Sequence, residues 1–133
     1  MATIIAAQST EYLKIGDVQD SWMTYPGSID KATIYVTPKG LYAECQLFLD
    51  FSVKCTQFTN PADSLEIQMG FNLPKEAEVI DLWLWVGNIP VRAGIYDRWT
   101  ASQIYEGLVN RRVDPALLVK NSDTFYDLRV FPL

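Results

Sequence analysis

Residue types that carry chemistry are sparse in this sequence, and what is missing decides more than what is present. There is no histidine among the 133 residues, which removes the commonest general base, the commonest metal ligand and the Ser-His and Cys-His nucleophile schemes together. Most zinc sites go with it. Asp97, Glu106, Asp114 and Asp127 could in principle supply an acid and base pair for glycoside hydrolysis, yet nothing in their spacing singles out any two. No serine stands in a nucleophile elbow, the glycines form no phosphate-cradling motif, and Asp-rich calcium loops are absent. The expectation is a domain that is not an enzyme and takes no cofactor and no metal.

Two groups of residues could bind rather than react. Trp83 and Trp85 are two apart, so in an extended chain their rings share a face and could form an aromatic platform for a sugar. The competing reading has them covered by the helix that follows, which needs an apolar surface for its own stripe. Arg111, Arg112 and Asp114 could be an exposed charged patch that grips a partner. Alternatively they satisfy carbonyls at a helix end and pair with each other or with Glu106. Cys45 and Cys55 fall on what reads as one strand, where ten residues span roughly 33 Å, far beyond the ~4.4–6.8 Å between alpha carbons that a disulfide allows. They are expected as separate thiols packed like small hydrophobes, which leaves their redox state and the compartment open.

The elements that would position these groups are mostly strands. Ala32, Ile34 and Val36 alternate with Thr33, Tyr35 and Thr37, a strand with one buried face, and Pro38-Lys39-Gly40 makes a turn. The longest strand runs from Leu41 to Val53, with Leu41, Ala43, Cys45, Leu47, Leu49, Phe51 and Val53 on one face and Phe48 on the other. A polar loop joins it to Leu65–Phe71, and an antiparallel pairing of these two strands is expected. Val79–Val86 is apolar on both faces and is placed centrally in a sheet. Gly87-Asn88 reads as a hairpin dipeptide, with Val91–Asp97 as the partner strand. Thr100 and Gln103 fit a capping box, and Ala101, Ile104, Tyr105, Leu108 and Val109 recur at helical spacing, with the end near Val113 ahead of Pro115. Gly107 in this helix is assigned to close packing. Phe125, Leu128, Val130 and Phe131 mark a last strand, whereas 11–26 shows no clear period.

With 49% hydrophobic and 13% aromatic residues, the chain has ample core for one domain over 1–133. Its formal charge of −5 and the lack of a basic run beyond Arg111-Arg112 argue against nucleic acid. No stretch approaches the ~20 apolar residues of a membrane span, so no membrane contact is expected of this segment itself.

Three pieces carry a family resemblance: Pro38-Lys39-Gly40-Leu41-Tyr42, Phe71-Asn72-Leu73-Pro74, and the run in which Ala101, Ile104, Tyr105 and Glu106 lead into Arg111-Arg112 and Asp114-Pro115-Ala116-Leu117-Leu118. Together they resemble the VIT domain, named for vault protein and inter-alpha-trypsin inhibitor. The resemblance implies a mainly β fold, an antiparallel β-sandwich with one amphipathic α-helix packed on it. It further implies a non-catalytic protein-interaction or scaffolding domain, cut as a fragment from a larger protein. Leu84-Trp85-Val86-Gly87 and Asp97-Arg98-Trp99-Thr100-Ala101 look most like the bacterial, sorting-associated members, which implies a surface-associated or membrane-attached parent. For the segment itself the localisation is unknown. The expected partner is a protein, a neighbouring domain of the parent chain or another molecule, met at sheet edges or chain ends. A carbohydrate-binding sandwich using exposed aromatics is the alternative, and the exposure of Trp83 and Trp85 separates the two.

Overall fold

Period-two alternation turns most of the chain into strands. The computed structural model describes residues 10–18, 23–53, 56–58, 64–111 and 115–132. In order, the elements are β1 (Thr10–Asp17), β2 (Thr24–Pro26), β3 (Ser28–Pro38), β4 (Ala43–Ser52), β5 (Leu65–Asn72), β6 (Trp83–Val86), β7 (Ile89–Arg92), α1 (Arg98–Asn110), β8 (Ala116–Lys120) and β9 (Phe125–Val130). All described pairings are antiparallel. A five-stranded sheet has the order β2-β1-β5-β9-β8, while β3-β4 and β6-β7 each form a two-stranded ribbon. The fold is mainly β, an antiparallel β-sandwich carrying a single helix among the described residues.

Register assigns the two faces of the five-stranded sheet. Ile15 stands opposite Ile67 and Ile67 opposite Val130, so these side chains share one face. There Ile15, Leu65 and Ile67 are buried, and Phe51 and Val53 from the end of β4 pack against them with Phe58 and Leu13. The opposite face carries Glu66 and Gln68 on β5, Arg129 on β9 and Leu117 on β8, because Gln68 pairs with Arg129 and Arg129 with Leu117. Helix α1 covers this face, where Tyr105 and Val109 cluster with Leu117 and Phe131 and with half-buried Ala101 and Val119. Each fully buried apolar side chain contributes roughly 1.5–3 kcal/mol. Both faces of β5 are therefore covered, and five of its eight residues are buried outright.

Several expectations need correction. β4 pairs with β3 and not with β5, whose neighbours are β1 and β9. The reason is local: Gly40, at φ +82°, turns the chain back at once, and Lys39 N–H bonds the Tyr42 carbonyl at 2.8 Å. The apolar run at Val79–Val86 yields a strand of four residues in a ribbon of its own rather than a central strand. Its partner is Ile89–Arg92, not Val91–Asp97, because Gly87 at φ +61° permits a two-residue turn. The helix starts one turn earlier than Thr100: Asp97 caps it, accepting from the Trp99 and Thr100 amides at 3.1 Å each. Its last residue is Asn110 rather than one near Val113, which is outside the described residues.

Ile104 is exposed, while Tyr105 and Val109 face inward. A methyl group at Gly107 would meet nothing within 4 Å, so close packing is not its role. Cys45 is exposed and unbonded rather than packed. β4 ends at Ser52, and Cys55 lies outside the described residues.

Candidate interaction surface

Between helix and sheet lies a buried polar cluster that neither motif nor spacing announced. Glu66, only 5% exposed, accepts hydrogen bonds from the Tyr105 hydroxyl, from Gln68 Nε2 at 2.6 Å and from Arg129 Nε at 3.1 Å. A second Arg129 nitrogen lies 2.9 Å from the same Glu66 oxygen, and a third reaches Glu106 at 3.0 Å. The guanidinium also sits over the Tyr105 ring, 4.6 Å from its centroid. Burial works against the Arg129 charge, but the Glu66 carboxylate more than offsets it and holds the guanidinium pKa above its ordinary value. Burial first, and Glu66 second, push the Tyr105 phenol well above its usual range. Every named group has its partner inside the cluster, so it fixes the helix to the sheet. Alternation in Leu65–Phe71 was the available signal: it marks Glu66 and Gln68 as one face, though as a solvated one.

The surface is different in kind. Trp83 and Trp85 are 52% and 56% exposed, so α1 does not cover them, contrary to the reading in which its stripe lies on their rings. That stripe is spent on Leu117 and Phe131 instead. Trp83 stands opposite Arg92 and Trp85 opposite Pro90, which gathers all four on one side of the ribbon. Arg92 lies over the Trp83 ring, 5.8 Å from its centroid, and is held by Asp81 at 3.0 Å. The Arg92 hydrogen bond is the main reason that the Asp81 carboxyl is held below the usual carboxylate range. Beside them Asp81, Arg92, Ala93 and Ile95 line a shallow recess, and Arg98, Trp99 and Ser102 line another.

These tryptophans belong to a longer apolar tract. Ile80, Trp83, Trp85, Val86, Ile89, Val91, Ile95, Tyr96 and Trp99 all fall within twenty residues and are all exposed. The opposite side of the ribbon, with Val86 and Val91, is as apolar as the tryptophan side. Scattered exposed hydrophobes are ordinary, but a contiguous run of this size marks a contact surface. A second, separate set lies on the β3-β4 ribbon, where Tyr35 and Phe48 pack edge to face at 5.8 Å and both remain exposed.

The other sequence candidates do not converge on either. Arg111 is exposed and its Nε bonds the Gly107 carbonyl at 3.1 Å, at the end of α1. Arg112 and Asp114 lie outside the described residues. Glu106 pairs with Arg129 rather than with Arg111. The carboxylates considered for hydrolysis are dispersed: Asp97 caps the helix, Glu106 faces Arg129, and Asp127 accepts from the Tyr12 hydroxyl at 2.8 Å. No described helix is long and apolar enough to cross a membrane.

Compared with known proteins, the chain matches the family described as vault protein inter-alpha-trypsin domain over residues 45–133. That span begins in β4 and takes in the tryptophan ribbon, the helix and the last two strands. Comparison with curated proteins and with solved structures gives no match.

Proposed function

Since the chain belongs to the VIT family, a family of non-catalytic, protein-interaction-type domains of larger proteins, we infer that its task is to hold a protein partner and that the tract from Ile80 to Trp99 is where it does so. The observation that carries this reading is the exposure of apolar side chains on both sides of the β6-β7 ribbon. A surface of that kind gains most from a partner that covers both sides, which a folded protein can do and a sugar ring stacked on one side cannot. A scaffolding role in a surface-associated or membrane-attached parent, of bacterial origin, is the finer form of the same reading and rests on the look of Leu84–Gly87 and Asp97–Ala101. The absence of histidine and the dispersal of the carboxylates support a role without catalysis.

Carbohydrate binding is the second reading. It is favoured by the exposure of Trp83 and Trp85 and by the Arg92-Asp81 pair at their edge, an arrangement that offers a stacking face beside hydrogen-bonding groups. One pair of variants separates the two. With Trp83→Ala/Trp85→Ala as bait against the parent organism's extract, a protein captured by the unsubstituted chain should be lost. Unchanged capture by the variant would overturn the assignment of the tract. Retardation in polysaccharide gels that disappears in the same variant would favour the carbohydrate reading instead.

A further inference from the structure

The β6-β7 ribbon is open along one edge and blunted along the other. Its two-residue turn makes Val86 and Ile89 a hydrogen-bonded pair, and bonded pairs then alternate along the ladder. Leu84 with Val91 is the next, and the Ala93 amide donating to the Leu82 carbonyl at 2.9 Å continues the series. Trp83 and Trp85 consequently direct their own N–H and C=O groups away from β7, and Pro90 and Arg92 direct theirs away from β6. On the β7 side Pro90 has no N–H to offer, which blunts that edge. On the β6 side no described strand is paired, and the residues presenting their backbone are the two exposed tryptophans.

We propose that a second copy of this chain adds to that edge, β6 against β6, antiparallel about a two-fold axis through Leu84. The proposal rests on the reading of the Ile80–Trp99 tract as an interaction surface and names the occupant of its open edge, the two sides remaining free for another protein. In this register Trp83 faces Trp85 of the second copy and Trp85 faces its Trp83, each pair exchanging both N–H···O bonds, while Leu84 meets its own equivalent. The strand is thus its own complement, as a two-fold contact requires.

Nothing in the register opposes it. Asp81 falls opposite Gly87, so no like charges meet, and aromatic residues stand opposite each other in pairs that favour association. The resulting four-stranded sheet ends in Pro90 on both sides, so the assembly closes at two copies instead of growing.

The test uses the full chain with Cys45→Ser and Cys55→Ser. Leu84→Cys in this background should oxidise to a disulfide-linked dimer, because alpha carbons of a non-hydrogen-bonded pair lie about 4.5 Å apart, within disulfide reach. Ile89→Cys, exposed on the blunted strand, should give at least about tenfold less. Equal yields, or none from Leu84→Cys, overturn the proposal. Without any added cysteine, sedimentation should show a concentration-dependent dimer whose midpoint rises at least about tenfold in Trp85→Pro, a change that removes an outward amide and no ribbon bond.

A chain that stays monomeric at every concentration also overturns it. If the Trp83→Ala/Trp85→Ala variant nevertheless loses a captured protein, the interaction reading survives and only the second copy fails as its occupant. Tryptophan-dependent sedimentation of the monomer with phosphatidylcholine vesicles would assign the ribbon to a lipid surface, which again overturns self-pairing.

Discussion

Glu66 is where the helix and the sheet are chemically joined, and at the scale of single residues it carries the largest expected effect. Its carboxylate is buried and answers Arg129, Tyr105 and Gln68 at once. Removing one member of such a set leaves the others without partners away from water. Glu66→Ala should cost about 3–5 kcal/mol in a urea titration, and Tyr105→Phe about 1.5–3 kcal/mol for one bond to a charged group. The Tyr105 phenol also predicts an alkaline limit. Its pKa is raised in the folded state, by burial first and by Glu66 second. An unfolded tyrosine releases its proton near pH ~10 while the folded one keeps it. The contribution is therefore fully present below about pH 10 and lost as the pH rises beyond it. Thermal unfolding midpoints measured from about pH 8 to 11 should fall less steeply in Tyr105→Phe than in the unsubstituted chain. Little of this was legible beforehand. Alternation told which residues of β5 share a face, but a helix from forty residues downstream decides whether that face is wet.

Among the elements, α1 was legible in position and stripe, and its details were not. The stripe Ala101, Ile104, Tyr105, Leu108 and Val109 contains both buried members, Tyr105 and Val109, but Ile104 at its edge is exposed. A 3.6-residue period fixes an apolar sector only to within one position, and the cap one turn upstream at Asp97 was hidden by a competing Thr100–Gln103 pattern. Gly107 shows the same limit. Its place in the middle of a helix suggested a close approach, yet the space where a methyl group would go is open. Gly107→Ala should therefore stabilise the protein by roughly 0.5–1 kcal/mol, through lower backbone entropy in the unfolded chain, as read from the shift in denaturant midpoint. A destabilised variant would mean that a neighbour occupies that space. The hairpins at Gly40 and Gly87 were legible because turn chemistry is local. By contrast β1 was missed, since Ile15 is the one fully buried side chain among those described in it and a register shift interrupts its pairing. A pairing of β4 with β5 was wrongly expected, because alternation names strands without naming their neighbours.

On the scale of the whole molecule, seven of the ten buried apolar residues described sit in two clusters on either side of β5, whereas both ribbons keep large apolar side chains in water. Stability and recognition are therefore separable. Phe48→Ser at the β3-β4 ribbon should cost only about 0.5–1.5 kcal/mol of unfolding free energy, the worth of its edge-to-face contact with Tyr35, while lowering the binding of a fluorescent apolar dye. A loss comparable to that of Glu66→Ala would place Phe48 in the core. The β3-β4 ribbon has a further consequence for how the protein opens. Ten paired positions tie β3 to β4, and neither strand is paired to the five-stranded sheet. Its outer amides can lose protection without breaking a single ladder bond of that sheet. Hydrogen exchange should then resolve two cooperative units, with the outer amides of Ile34–Val36 and Cys45–Leu47 exchanging through a sub-global opening well before Ile67 and Leu128. A partner that clamps the ribbon could slow that first unit alone, and so register its presence in the kinetics of a region that adds little to the stability of the rest.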